Sequence, residues 1–193
     1  LKEIGKNWYI GETLHSGIGQ GYFLSTPIQL CLMVAQIANG GFKIKPRMLV
    51  DRNNETNNLK KYLDYKQKNP NDLNSIEQQI FNFGLEPLFR NQENINFVKE
   101  AMFAASNEAG GTSYGSRHSD KKFMFAGKTG SSQIKRFTEA QREAEVKQKD
   151  ITYLERDHAW FVAYAPVQDP KYAISVLVEH GGSGSSAAAP LAK

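Results

Sequence analysis

KKFMFAGKTGSSQI, residues 121–134, is the stretch that decides the fold and locates the chemistry. The apolar run at 123–125 predicts that this stretch is a strand buried on both faces. Residues 126–127 (Ala-Gly) then remove side-chain bulk, so another backbone or a ligand can approach closely. Lys-Thr-Gly at 128–130 and a serine at 131 follow. Because an edge strand has free main-chain N–H groups, the stretch predicts a cation, hydroxyls and an N–H directed at one cleft.

The remaining regular pattern predicts helices on either side of an antiparallel sheet. Thr26 is a good N-cap for a helix over 28–38, which is apolar on nearly every side and is therefore expected to be buried. Asn94 is the expected cap of a second amphipathic helix. The strands at 159–166 and 172–179 are joined by a short connection, which predicts a hairpin. The expected fold class is α/β (α+β), an antiparallel sheet flanked by helices.

Other segments carry weaker patterns. Residues 1–16 are expected to be irregular or to hold one short strand. Residues 51–91, rich in asparagine and lysine, are expected to be a surface insertion with an amphipathic turn near 76–83. The loop 136–155 mixes both charges, so it is expected to be a solvated, mobile surface helix or loop between strands. A flap over the cleft and a docking site are the alternatives for this loop.

Composition excludes several classes of function. The 193 residues carry a formal charge of +4 without a basic stripe, so no nucleic-acid partner is expected. No stretch is long and apolar enough for a transmembrane helix. The single cysteine rules out an internal disulfide. The histidines lack metal-ligand spacing, so neither a metal nor another cofactor is expected; they are His15, His118, His158 and His180.

A phosphate-binding loop is also excluded. Gly127-Lys128-Thr129 matches the end of that motif, but the motif needs a glycine where Lys122 stands. The residues that follow are also typical of a strand, whereas the motif needs a helix start. The glycines of 17–21 fail the dinucleotide fingerprint for a similar reason, because its last glycine is replaced by Tyr22.

Lys-Thr-Gly on a strand is one of three motifs of the penicilloyl serine transferases. It occurs here after GETLHSGIGQGYFLSTPIQL (11–30) and Asn-Gly-Gly (39–41), and before RDHAWFVAYAP (156–166). In this order the motifs resemble the transpeptidase domain of class B penicillin-binding proteins, of the penicillin-binding protein 2 type. The resemblance covers most of the chain except 51–91 and the charged loop, and it implies that residues 1–193 are the C-terminal portion of such a domain.

The resemblance implies roles for the residues of the central strand. Lys128 would place positive charge in the catalytic proton network, within the catalytic Lys128-Thr129-Gly130 motif. Thr129 and Ser131 would bind the carboxylate of a terminal D-alanine, and the Ser131 N–H would form half of the oxyanion hole. The family usually has threonine where Ser131 stands, and serine keeps the hydroxyl. The implied partners are peptidoglycan stem peptides, β-lactams and a membrane glycosyltransferase of cell elongation. The implied parent is anchored in the inner membrane, with this domain in the periplasm.

The nucleophile of such an enzyme is not found in this chain. Only Ser119 and Ser132 have a lysine three residues on, at Lys122 and Lys135. The first pair lies in a polar turn, and the second lies on the strand itself, where the lysine would alternate away. The Ser-x-x-Lys and Ser-x-Asn motifs are therefore expected to precede Leu1. The chain alone is expected to be inactive and to self-associate through exposed apolar surface and an unpaired sheet edge.

Other functions stay open at this point. Within the superfamily, the alternatives are a D,D-carboxypeptidase and a serine β-lactamase. From another class, the chain could belong to a non-catalytic β-lactam sensor or to a morphogenesis scaffold that binds partners through 136–155. An intact upstream Ser-x-x-Lys favours an enzyme or a sensor, and its loss favours a scaffold.

Overall fold

The structure, a computed structural model, describes residues 7–21, 23–48, 58–71, 84–89, 91–135, 147 and 150–193. The helices are α1 (Ile10–Gly17), α2 (Pro27–Ala38), α3 (Asn58–Lys68) and α4 (Gln92–Asn107). The strands are β1 (Ala126–Ser132), β2 (His158–Ala165) and β3 (Tyr172–Val178). After β3, a π-helical turn (Gly184–Ala188) and a 3₁₀ turn (Ala189–Ala192) follow. In the described residues, none of the helices has both the length and the apolar character needed to cross a membrane.

The three strands form an antiparallel sheet in the order β1-β2-β3. Gly130 on β1 lies opposite Trp160, and Phe161 on β2 lies opposite Val176. The Lys171 N–H donates to the carbonyl of Ala165 at 2.8 Å and closes the connection between β2 and β3. This arrangement confirms the predicted hairpin and the predicted run of three antiparallel strands.

The sheet has an apolar core on each face because successive side chains of β2 point to opposite sides. Val162 and Tyr164 face α2 and α4, and with Met102 and other side chains they form one core cluster. Phe161 and Ala163 face the C-terminal turns and form the other cluster with Phe125, Ala188 and similar residues. The fold class predicted from the sequence is thereby confirmed. The start of β1 is packed on both faces of the sheet, with Ala126 in the first cluster and Phe125, just before the strand, in the second.

Helix α2 begins as predicted. The Thr26 hydroxyl accepts from the Gln29 N–H at 3.3 Å, and the Gln29 side chain accepts from the Thr26 N–H at 2.8 Å, which completes a capping box. Burial is narrower than predicted, because Ile28 is 65% exposed and Met33 is 43% exposed. Only the side of α2 that faces the sheet is covered within the described residues.

The first residues of the central stretch are not in the strand, so that part of the prediction was wrong. The Asp120 side chain accepts from the Lys122 N–H at 2.9 Å, which caps a 3₁₀ turn over Lys121–Phe123. Phe123 is 60% exposed, whereas Phe125 is buried with its ring edge-on to Phe161. A local cap competes with strand pairing here, and the strand begins only at Ala126.

Two helix starts also differ from prediction. Helix α4 is capped by Asn91, whose side chain accepts from the Glu93 N–H at 2.8 Å, so the predicted cap at Asn94 was wrong. Helix α1 occupies part of the segment expected to be irregular or extended. The helix is short and has a glycine near each end, so its sequence shows no clear helical spacing of apolar residues. None of its residues is buried.

The described parts of 51–91 contain more order than the sequence predicted. Tyr62 on α3 is 3% exposed and packs edge-on against Phe42, at 5.7 Å between ring centroids. Phe42 in turn bridges to Pro87. The predicted turn at 76–83 and most of the charged loop 136–155 lie outside the described residues, and the insertion at 51–91 stays a prediction.

Candidate active site

The predicted site residues lie on the polar half of β1. Ala126 and Gly127 are buried, and the strand becomes polar and more exposed from Lys128 onward. A Cβ on Gly127 would lie 2.8 Å from the Val162 carbonyl oxygen, and 2.4 Å from the ring of Phe161, so a side chain is excluded at the point where the strand leaves the core. In the described sheet β1 has a neighbour on one side only. Alternate peptide groups of β1 therefore face away from β2.

Lys128 is exposed, and its ammonium bends back along the strand. Nζ donates to the Thr129 carbonyl oxygen at 2.8 Å. An ammonium has three donors, so this bond leaves others for an anion in the cleft. The charge is thus held close to the strand that carries the candidate hydroxyls.

The two predicted hydroxyls have partners on neighbouring segments. Thr129 Oγ1 donates to Thr112 Oγ1 at 2.9 Å, and Ser131 Oγ makes a long bond to the Gly182 carbonyl at 3.4 Å. Thr112 lies after α4, and Gly182 lies after β3. The fold therefore brings three separate parts of the chain together at Lys-Thr-Gly.

A cavity of about 220 Å³ opens at this meeting point. It is lined by threonines, serines and glycines, from residues 112, 129–131 and 183–185. Across it from β1, the hydroxyls of Ser183 and Ser185 lie 2.9 Å apart. Gly184 makes the approach possible, since a Cβ there would lie 2.3 Å from the Trp160 carbonyl oxygen and 2.5 Å from that of Gly130. This cavity can accept a small anionic or amide group.

A larger cavity, of about 520 Å³, lies elsewhere against the sheet. Phe125, Tyr164 and Ile174 contribute to its apolar lining, and none of the candidate residues Lys128–Ser131 does. Size alone would favour it as a ligand site, but the chemistry of acyl transfer requires donors and charge. The smaller, polar cavity is therefore the candidate site.

The two formal Ser-x-x-Lys matches lie in a 3₁₀ turn and at the end of β1. The Lys135 ammonium is ion-paired with the Glu155 carboxylate at 2.6 Å. Lys122 lies in the 3₁₀ turn after Ser119, and its main-chain N–H donates to the Asp120 side chain. That the nucleophile lies outside this chain stays a prediction.

The structure also brings together two histidines that are distant in sequence. The rings of His158 and His180 are in edge contact at 4.9 Å, and His158 Nδ1 accepts from the His180 N–H at 3.0 Å. His180 has a positive φ of 55°, and its Nδ1 faces the Arg156 carbonyl at 3.3 Å. The pair fastens the turn between β3 and the cavity wall. Among the described residues, no group of three potential ligands forms around it.

Sequence reasoning identified the strand but missed the residues that surround it. Thr112, Ser183 and Ser185 were not among the residues that the sequence predicted for the site. The local signal was GGSGSS directly after a strong strand, a composition that permits close backbone approach.

A family model of the penicillin binding protein transpeptidase domain matches residues 2–193. The chain belongs to this family. The resemblance drawn from the motifs is thereby confirmed.

Individual relatives give the same result. The peptidoglycan D,D-transpeptidase MrdA of Salmonella typhimurium is 33% identical over 186 residues, which cover 96% of this chain and 26% of that protein. MrdA of Haemophilus influenzae is 30% identical over 198 residues, covering 100% of this chain and 26% of that protein. The chain thus spans about a quarter of the length of the curated relatives it matches.

Solved structures are similar over nearly the whole chain. PBP2 in a complex with MreC from Helicobacter pylori superposes with a TM-score of 0.69 at 28% identity, covering 100% of this chain and 28% of that chain. PBP2 of Pseudomonas aeruginosa in complex with WCK 5153 superposes with a TM-score of 0.63 at 30% identity, covering 99% of this chain and 34% of that chain.

Proposed function

We propose that this chain is the Lys-Thr-Gly-bearing part of a peptidoglycan D,D-transpeptidase of cell-wall elongation. One observation carries the proposal: β1 lines the smaller cavity with Thr129 and Ser131 and carries the exposed Lys128 directly before them, in a chain of the transpeptidase family. The named activity of the relatives supports the same reaction. The serine nucleophile and its lysine then lie outside residues 1–193.

In this proposal the reaction is acyl transfer in two steps. The serine oxygen bonds to the carbonyl carbon of the penultimate D-alanine, the amide C–N bond breaks, and the terminal D-alanine leaves with a proton on its nitrogen. The amine of a second stem peptide then attacks the ester, forms the cross-link and releases the serine. A β-lactam enters the first step and stays attached.

The residues of β1 would act on charge and geometry. Lys128 supplies positive charge to the proton network and to the substrate carboxylate. Thr129 and Ser131 contribute hydroxyls to that carboxylate. The Ser131 N–H lies on the edge strand, where it can donate to the developing oxyanion, and Gly130 keeps that edge open.

The setting follows from the same assignment. We propose that the parent protein is anchored in the inner membrane with this domain in the periplasm. There it would work with a membrane glycosyltransferase that supplies new glycan strands. The complex of a related PBP2 with MreC supports assembly with other proteins of this process.

The test uses the full-length protein that carries this chain. Lys128→Ala should lower the rate of acylation by a fluorescent penicillin at least about a hundredfold, since a preorganised charge at the reacting centre is lost. Ser131→Ala should also lower the rate, and Ser131→Thr should preserve it. Lys171→Ala is the matched control, because that lysine is exposed and pairs with Asp169 on the β2–β3 connection.

Two results would contradict the proposal. If Lys128→Ala and Lys171→Ala lowered the acylation rate equally, the effect would be one of net charge alone. Full acylation of Lys128→Ala would remove Lys128 from the reaction.

A further inference from the structure

The segment 111–113 is clamped to the end of α4. Gly111 fits only because it lacks a side chain, since a Cβ there would lie 2.4 Å from the Ala105 carbonyl oxygen. Ser113 is 1% exposed, and both its N–H and its hydroxyl lie 3.0 Å from that same oxygen. Thr112 stands between these two residues, so its backbone is held from both sides.

Thr112 extends from this clamp to β1. Its hydroxyl oxygen accepts the hydrogen bond from the Thr129 hydroxyl at 2.9 Å, and both residues line the polar cavity. Each hydroxyl has one proton. While Thr129 donates to Thr112, the Thr112 proton is the one left to point elsewhere; if the direction reverses, the Thr129 proton is free. The pair therefore has one proton left for an anion. That proton belongs to Thr129 when Thr112 donates to Thr129, and this is the direction that binding of a carboxylate by Thr129 requires.

We propose that Thr112 is a positioning residue of the active site, which acts through Thr129 on the carboxylate of the bound peptide or β-lactam. The proposal rests on the proposed function. The contacts of residues 111–113 with α4 hold Thr112 in place. The hydrogen bond between the two hydroxyls then keeps the Thr129 side chain in one orientation. A free Thr129 side chain would instead choose among rotamers, and the carboxylate would have to order it on binding.

Acylation kinetics of the full-length protein test this role. Thr112→Val keeps the shape and removes the hydroxyl, and it should weaken the apparent affinity for a penicillin about tenfold while the maximal acylation rate stays the same. Thr112→Ser should restore the wild-type value. The matched control is Thr152→Val, the same change at an exposed threonine without a side-chain capping bond.

Two further measurements separate positioning from simple stability. The methyl ester of the same penicillin has no free carboxylate. With this ester, Thr112→Val should be acylated with the same apparent affinity and rate as the wild type. In a double-mutant cycle, Thr112→Val should add no further loss to Thr129→Val, because the first residue acts through the second. If Thr112→Val melts well below the wild type, Thr112→Ala takes its place in both measurements.

The outcomes are distinct. Unchanged affinity in Thr112→Val, equal loss on acid and ester, or additive losses in the cycle would each overturn the role of Thr112 while leaving the proposed function standing. Absence of acylation in the wild type would overturn the proposed function, and this inference with it.

Discussion

Gly184 lies where the wall of the polar cavity meets the sheet, and a side chain there would collide with backbone. A Cβ would be 2.3 Å from the Trp160 carbonyl oxygen, 2.5 Å from the Gly130 carbonyl oxygen and 2.9 Å from the Gly130 nitrogen. These atoms belong to paired strands and cannot rotate away as a side-chain tip can. Ordinary contact requires the 183–185 segment to move outward by about 1 Å.

The change Gly184→Ala should therefore destabilise the chain. Overpacking of this kind costs about 2 kcal/mol. For a chain of this size that corresponds to a fall of about 4–8 °C in Tm. Thermal unfolding of the 193-residue chain, followed by circular dichroism and repeated in guanidinium chloride, measures both quantities.

Gly130→Ala is the matched control. This change also adds one methyl group, on the residue of β1 that Gly184 contacts. The nearest atom to the new Cβ is the Trp160 Cβ at 3.5 Å, an ordinary van der Waals separation. Its free energy of unfolding should stay within about 0.5 kcal/mol of the wild type. If Gly184→Ala were as stable as Gly130→Ala, the close seating of the cavity wall on β1 would be refuted.

Three further predictions concern stability and association. Thr26→Ala should lower the free energy of unfolding by about 1 kcal/mol in denaturant titrations, because it removes one half of the capping box; no change would show that the start of α2 is frayed. Burial lowers the pKa of Lys99 in the folded chain below its ordinary value of 10.5. Between these two pKa values the unfolded chain binds more protons than the folded one. The free energy of unfolding should therefore rise as the pH increases towards 10.5. Lys99→Met should flatten this rise, and a slope that persists would assign it to other groups. Ile28 and Met33 are exposed, and one edge of β1 has no partner strand in the described sheet, so the 193-residue chain should self-associate. A single monomer in light scattering at high concentration would contradict this.

The hairpin, β1 and α2 could be predicted because their signals are local. Strand runs, a short connection and a capping box act over a few residues, and each was found near its predicted place. The errors arose where two local signals compete. Asp120 caps a turn where the apolar run alone indicated a strand, and Asn91 caps α4 three residues before Asn94.

The candidate site was predictable only in part, because it is assembled from distant segments. The resemblance to a known family identified Lys128 to Ser131 on one strand. The partners of these residues come from 17 residues earlier, in Thr112, and from 51 residues later, in Gly182. Contacts of this separation depend on how α4 and the C-terminal turns pack on the two faces of the sheet, which no short motif specifies.

We propose that this chain supplies the Lys-Thr-Gly strand of a serine D,D-transpeptidase and that the nucleophile lies outside it. Intact mass spectrometry after incubation with a penicillin tests this most directly, with the 193-residue chain and the full-length protein treated in parallel. We predict one covalent adduct on the full-length protein and none on the chain. An adduct on the chain would place a reactive serine within it, with Ser119 and Ser132 the first to examine, and no adduct on either protein would contradict the proposed function.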